Sequence, residues 1–170
     1  IQESRNKCAG IRKIGNYWRV SSPAVKGSYG TDVLICSMLP FANNSCGPIY
    51  VGRDDISILY FDPRRIIVRC IVGNRSFCSA SMHAPYIGNK DGSDDWWKES
   101  IAVCKKYCDG EPLIVGVDAN LGIPSILNQT NPLLAGNLLF VNKSQEGKDE
   151  EFSRFFCELN LCAHGSFENS

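Results

Sequence analysis

The chain has 170 residues, enough for one domain with a buried core, and its 44% hydrophobic and 21% charged content excludes a disordered tract. Eighteen basic residues balance eighteen acidic ones, so no global positive field advertises nucleic acid, and any phosphate-binding surface has to be local. No apolar run of about 18 residues is present, and Ile1-Gln2-Glu3 opens with neither a basic segment plus apolar core nor a cleavage site, so an intracellular setting, cytoplasm or nucleus, is expected, with no membrane.

In chain order, Ile1 to Arg5 reads as a strand end followed by a polar loop, which suggests that further chain precedes it. Strand-like apolar runs follow at Thr31 to Leu39, Ile56 to Phe61, Arg65 to Val72 and Phe77 to Met82, rich in Val and Ile. Asp62-Pro63-Arg64 supplies turn chemistry between the second and third runs, and Gly73-Asn74 does so between the third and fourth. These segments therefore read as an antiparallel meander of spatial neighbours.

From Ser93 the period changes. Trp97, Ile101, Cys104 and Cys108 recur at helical spacing, Ser93 can cap, and Asp94 and Asp95 suit the positive end of the helix dipole, which predicts a helix over 94–108. A further strand, Leu113 to Asp118, comes next. Leu121 to Val141 is rich in Gly, Pro and Asn and reads as loops able to shape a cleft. After the polar stretch Asn142 to Lys148, Phe152, Phe155, Phe156 and Leu159 fall on one face of a helix over 149–161.

Nine cysteines with no export signal read as reduced, mostly buried thiols. Cys104 with Cys108 and Cys157 with Cys162 lack Cys-x-x-Cys spacing and read as core packing rather than metal ligands. One of Trp96 and Trp97 is expected in the core and the other partly at the surface. Arg64, Arg65, Arg69 and Arg75 fit either a phosphate-contacting patch or the charged positions of an outer sheet face. The fold expected from these elements is one mixed α+β domain, a largely antiparallel core with helices outside.

Three strand ends carry groups able to do chemistry. In Leu113-Ile114-Val115-Gly116-Val117-Asp118-Ala119-Asn120, the acid and the amide stand two residues apart, on one face of an extended strand. A carboxylate there can position or deprotonate a water, and the amide can donate to a phosphate oxygen. His83, in Ser79-Ala80-Ser81-Met82-His83-Ala84-Pro85, ends another strand, where an imidazole can bond a phosphoryl oxygen. Glu3 adds a carboxylate of the kind Mg²⁺ takes from a protein while keeping waters and substrate oxygens. Read alone, each has a plainer explanation: a polar strand end, a half-buried histidine, a solvated terminal acid.

Together, Gln2-Glu3-Ser4-Arg5, His83-Ala84-Pro85 and Gly116-Val117-Asp118-Ala119-Asn120 resemble the metal-binding Glu loop, the His-bearing strand end and the Gly-Asp-x-Asn block of the endonuclease/exonuclease/phosphatase superfamily. Gly27-Ser28-Tyr29-Gly30, the Asp62-Pro63-Arg64-Arg65 hairpin and the Trp96-Trp97 helix agree, and the chain looks most like the endonuclease domain of non-LTR retrotransposons. The resemblance implies a DNase I-like four-layer β-sandwich flanked by helices, spanning 1–170 as a single domain incomplete at both ends.

It implies Glu3 as a Mg²⁺ ligand, with Mn²⁺ as a substitute, His83 at the scissile phosphate, Asp118 on the attacking water and Asn120 on phosphate and nucleophile. DNA is the implied substrate, nicked by a module that shares a polyprotein with a reverse transcriptase. The family's early Asn and its later Asp-His pair have no counterpart here; His164 does not match, and Val117 separates a Gly and an Asp that the family keeps adjacent. The 170 residues alone are therefore expected to have little nuclease activity and poor solubility. A phosphatase for small phosphorylated substrates and a degenerate, non-catalytic remnant are the alternatives.

Overall fold

A computed structural model describes residues 1, 3–86, 93–120 and 150–162. The loop reading of Leu121 to Val141, the polar stretch before the second helix and His164 lie outside the described residues, as does the Ser93 side chain expected to cap the first helix. The chain divides into two compact units, Ile1–His83 with Lys106–Asp118, and Ala84–Lys105 with Ala119–Ser170. The secondary structure is mixed α+β, with nine strands and two helices among the described residues.

The first unit holds all nine strands of the described residues. β1 (Gly10–Ile14), β2 (Tyr17–Ser21) and β3 (Asp32–Cys36) form an antiparallel sheet, β4 (Ala42–Asn44) and β5 (Gly47–Ile49) a small hairpin, and β6 (Ile56–Asp62), β7 (Arg65–Val72), β8 (Arg75–His83) and β9 (Leu113–Asp118) a four-stranded sheet in that order. The meander is as the turn residues require. Asp62 and Arg65 are paired across a two-residue loop, and neither Pro63 nor Arg64 has a positive φ, which excludes the type I′ turn and suits Pro at its first central position. At the other end Gly73, with φ 63°, joins Val72 to Arg75, a left-handed first position that glycine takes without strain. β9 returns parallel to β8, as a strand must after a helical crossover rather than a tight turn.

Alternation along these strands builds the core. Ile66, Val68, Cys70 and Val72 of β7 share one buried cluster with Ile56 of β6, Val51, and Val20, Val33 and Ile35 from β2 and β3, so both sheets contribute to a single apolar interior. The first sheet's hairpin, missing from the sequence reading, turns at Gly15-Asn16, with Gly15 at φ 53°. Trp18 of β2 anchors it by donating its indole N–H to the Val51 carbonyl at 3.0 Å.

In the second unit, helix α1 (Ser93–Cys108, its last three residues counted with the first unit) carries Trp96 and Trp97, and helix α2 (Glu150–Glu158) carries Phe152, Phe155 and Phe156. Trp97 lies 4.6 Å from Phe152 and 5.2 Å from Phe155 between ring centroids, distances at which tilted and edge-on aromatic pairs attract. Both tryptophans are buried, which corrects the expectation of one surface ring: Trp96 packs edge-on against Trp97 at 4.8 Å instead of facing solvent. Lys105 pairs with Glu158 at 2.5 Å across the two helices. α2 ends at Asn160 in the left-handed region, with the Leu161 N–H on the Phe156 carbonyl and the Asn160 N–H on that of Cys157, a Schellman cap.

The cysteines also need correcting. Cys70, Cys78, Cys104 and Cys108 are buried, while Cys8, Cys46, Cys157 and Cys162 are exposed, and all nine are free thiols. Cys157 and Cys162 fall on the outer side of α2 and just past it, not in the core. Among the described residues no helix is long and apolar enough to cross a membrane.

Candidate active site

At the carboxyl end of the parallel β8–β9 ladder two of the predicted residues, His83 and Asp118, meet. His83 and Asp118 are direct partners in that ladder, one step beyond Met82 and Val117, and residues in register on neighbouring parallel strands project to the same face about 4.8 Å apart. The alternation that buries Met82 on one face therefore delivers His83 and Asp118 together on the other. Their environments differ: His83 is 7% exposed, whereas Asp118 is open to solvent. His83 Nδ1 is buried and has no hydrogen-bond partner among the described residues, in a protein interior where such orphans are few.

Glu3 arrives on a strap. The Ile1 carbonyl accepts from the Asp32 N–H at 2.7 Å and from Ser81 Oγ at 3.3 Å, the Ser4 N–H donates to Gly30 at 2.9 Å, and the Arg5 N–H donates to Tyr29 at 3.0 Å. Ser81 lies on the same face of β8 as His83, two residues before it, so the strap runs beside the end of that strand. Glu3 and Arg5 both have φ 51° and Tyr29 has φ 66°. Left-handed conformations cost non-glycine residues energy and persist where the surroundings impose them, often at functional sites. The Glu3 carboxylate is exposed.

Two residues that the sequence reading treated as supporting detail close the arrangement. The Arg64 guanidinium lies over the Tyr29 ring, 3.9 Å from its centroid, and donates through Nη1 to the His83 carbonyl at 3.2 Å, while the His83 N–H donates back to the Arg64 carbonyl at 2.8 Å. The Tyr29 ring stands 6.3 Å from the imidazole. The signal for them was present: a Tyr between Gly27 and Gly30, and an Arg beside a Pro in a two-residue turn. Two other arginines of the meander are engaged internally. Arg65 is buried on Asp62 at 2.6 Å and Arg69 pairs with Glu111 at 2.7 Å, so neither belongs to a phosphate-contacting patch on the surface.

Asn120 belongs to the second unit. Its φ is 53°, and its Nδ2 donates to the Ala84 carbonyl at 2.6 Å, so one amide hydrogen is committed to backbone.

Among the described residues no group of three or more His, Cys, Asp or Glu side chains gathers to hold a metal ion. The exposed carboxylates of Glu3 and Asp118 are hard oxygen donors, and Mg²⁺ asks for only one or two of these, filling its octahedron with water and substrate oxygens. The donor chemistry fits that ion. No protein-family model matches the chain, and no curated protein sequence matches it at a significant level.

Proposed function

We propose that the chain is the core of a Mg²⁺-dependent phosphodiesterase of the DNase I-like, four-layer sandwich type, which nicks DNA as the endonuclease module of a retroelement and works beside a reverse transcriptase. The observation that carries the reading is the pairing of His83 with Asp118 at the end of the parallel ladder, with the Glu3 strap bonded to Ser81 of the same strand. In open α/β sheets ligands bind outside the carboxyl ends of parallel strands, and β8 and β9 present two such ends side by side.

In this reading the exposed Asp118 carboxylate orients a water and takes its proton as the new P–O bond forms opposite the leaving oxygen. The imidazole of His83 donates to a phosphoryl oxygen, where negative charge grows. The ester P–O bond breaks, and the departing oxygen takes a proton from solvent. Glu3 would hold a bound Mg²⁺, which supplies charge stabilisation at the phosphoryl group, with Mn²⁺ as a substitute.

The test is nicking of supercoiled plasmid under single-turnover conditions, with Mg²⁺ and with EDTA. Slow, Mg²⁺-dependent nicking is expected, reduced about 100-fold or more in Asp118→Ala, the size of loss typical when a general base is removed. Metal-independent nicking, or nicking indifferent to Asp118→Ala, would overturn the assignment. Hydrolysis of a small phosphomonoester with none of plasmid would move the substrate from DNA to phosphorylated small molecules.

A further inference from the structure

The β6–β7 turn is held more firmly than a hairpin needs. Asp62 Oδ1 accepts from the N–H groups of Arg64 and Arg65 at 2.7 and 2.8 Å, while Oδ2 accepts from the Tyr60 hydroxyl at 2.9 Å and from Arg65 Nε at 2.6 Å. A carboxylate with both oxygens doubly bonded in this way fixes the turn backbone and so the direction in which Arg64 leaves it.

From that platform the turn reaches two elements. Toward β8 there is the reciprocal pair between Arg64 and His83 already described. Toward the strap, the Pro63 carbonyl accepts from the Gly30 N–H at 2.8 Å, and the Arg64 guanidinium covers the Tyr29 ring. Tyr29 and Gly30 are the residues whose carbonyls hold the Arg5 and Ser4 N–H groups, the two that directly follow Glu3. A Cβ at Gly30, which has φ +83°, would stand 3.0 Å from Ser4 Oγ and 3.4 Å from the Arg5 nitrogen, so strap and loop are in close contact there.

We infer that Arg64 is a positioning residue, which with Tyr29 clamps the Glu3-bearing strap to the His83 end of β8 and thereby sets where the metal-binding carboxylate stands. The stacked guanidinium is suited to this role: it is planar, permanently charged, and able to bond the His83 carbonyl while its face lies on the ring. A lysine could keep the charge over Tyr29 but not the flat stacking with the simultaneous bond. The effect on catalysis rests on the phosphodiesterase reading; the effect on the strap does not.

Two measurements on the full chain separate these claims. The first is amide exchange at Ser4 and Arg5, compared with Ile66 to Val68 in the core. In Arg64→Gln, which keeps the backbone bonds of residue 64, exchange at Ser4 and Arg5 should accelerate about 10-fold with the core unchanged, as expected for loss of one cation–π contact and one charged hydrogen bond. Tyr29→Leu should do the same, the double variant should add little to either, and Arg64→Lys should recover part of the protection. Arg75→Gln, a change at an exposed arginine at the start of β8, is the control. Unchanged exchange in Arg64→Gln overturns the clamp.

The second is Mn²⁺ titration followed by electron paramagnetic resonance and by plasmid nicking. Half-saturation should move up about 10-fold in Arg64→Gln, while the rate at saturating metal changes less than about 3-fold, the pattern of a displaced ligand rather than a lost reacting group. Faster strap exchange with unchanged half-saturation overturns the link to Glu3. Faster strap exchange in a chain that binds no Mn²⁺ at all leaves the clamp standing and removes the phosphodiesterase reading.

Discussion

Burial sets the chemistry of individual side chains, and Cys70 shows it most directly. Its thiol is 0% exposed on β7, and burial first, with Asp55 and Cys78 adding, pushes it up to about 12. An unfolded chain releases the same proton near pH ~8.5. Between those values the unfolded state binds fewer protons than the folded one, so stability falls as pH rises through that window. Urea melts at pH 8, 9 and 10 should show this decline, and Cys70→Ala should flatten it. At pH 7.5 a maleimide should modify Cys8, Cys46, Cys157 and Cys162 quickly and spare Cys70, Cys78, Cys104 and Cys108 until the protein unfolds, as mass spectrometry of the labelled peptides would reveal. Asp32 is the other extreme, a fully buried carboxylate held by Arg19 at 2.5 Å. Arg19→Ala strands that charge and should cost about 3 kcal/mol in a urea melt, at the low end for broken buried pairs because Arg19 itself is partly exposed.

Elements were legible where one signal dominated. β6, β7, β8 and β9 could be read because their apolar runs are bounded by Asp62-Pro63, Gly73-Asn74 and a helix, and α1 because Trp97, Ile101, Cys104 and Cys108 repeat at one period. β1 and β2 escaped because Arg12, Lys13 and Arg19 break the apolar pattern of a sheet with one open face, leaving only Gly15-Asn16 to mark the hairpin. The site was legible in part for the same reason. His83 and Asp118 lie at the ends of strong strands, but their pairing depends on the parallel register of β8 and β9, which no local pattern encodes. Tyr29 and Arg64 come together only through the strap and the turn. Of the elements, β7 bears the most core: Ile66 is 0% exposed within the shared cluster. Ile66→Ala should cost about 3 kcal/mol through lost burial and an unfilled cavity, and Ile66→Val about 1 kcal/mol, both measurable by equilibrium unfolding.

At the scale of the whole chain, charge decides what kind of DNA binding the proposed function allows. Eighteen basic and eighteen acidic residues cancel, and among the described residues Arg19, Arg65, Arg69, Lys98, Lys105 and Arg154 are engaged in ion pairs. Beside the candidate site the strap carries exposed Arg5, with exposed Lys7 just after it. A protein releases counterions from DNA in proportion to the phosphates it neutralises, with a slope of about −0.9 per phosphate in a plot of log K against log salt. Two local cations therefore predict a slope of about −2. Fluorescence anisotropy of a labelled duplex, titrated in Ca²⁺ to prevent cleavage at several KCl concentrations, measures it directly. Arg5→Ala should reduce the slope by about 1, since it removes one phosphate contact. A slope near −6 would mean that the duplex is held by a broad basic surface, and would take the substrate contact away from the strap and the end of β8.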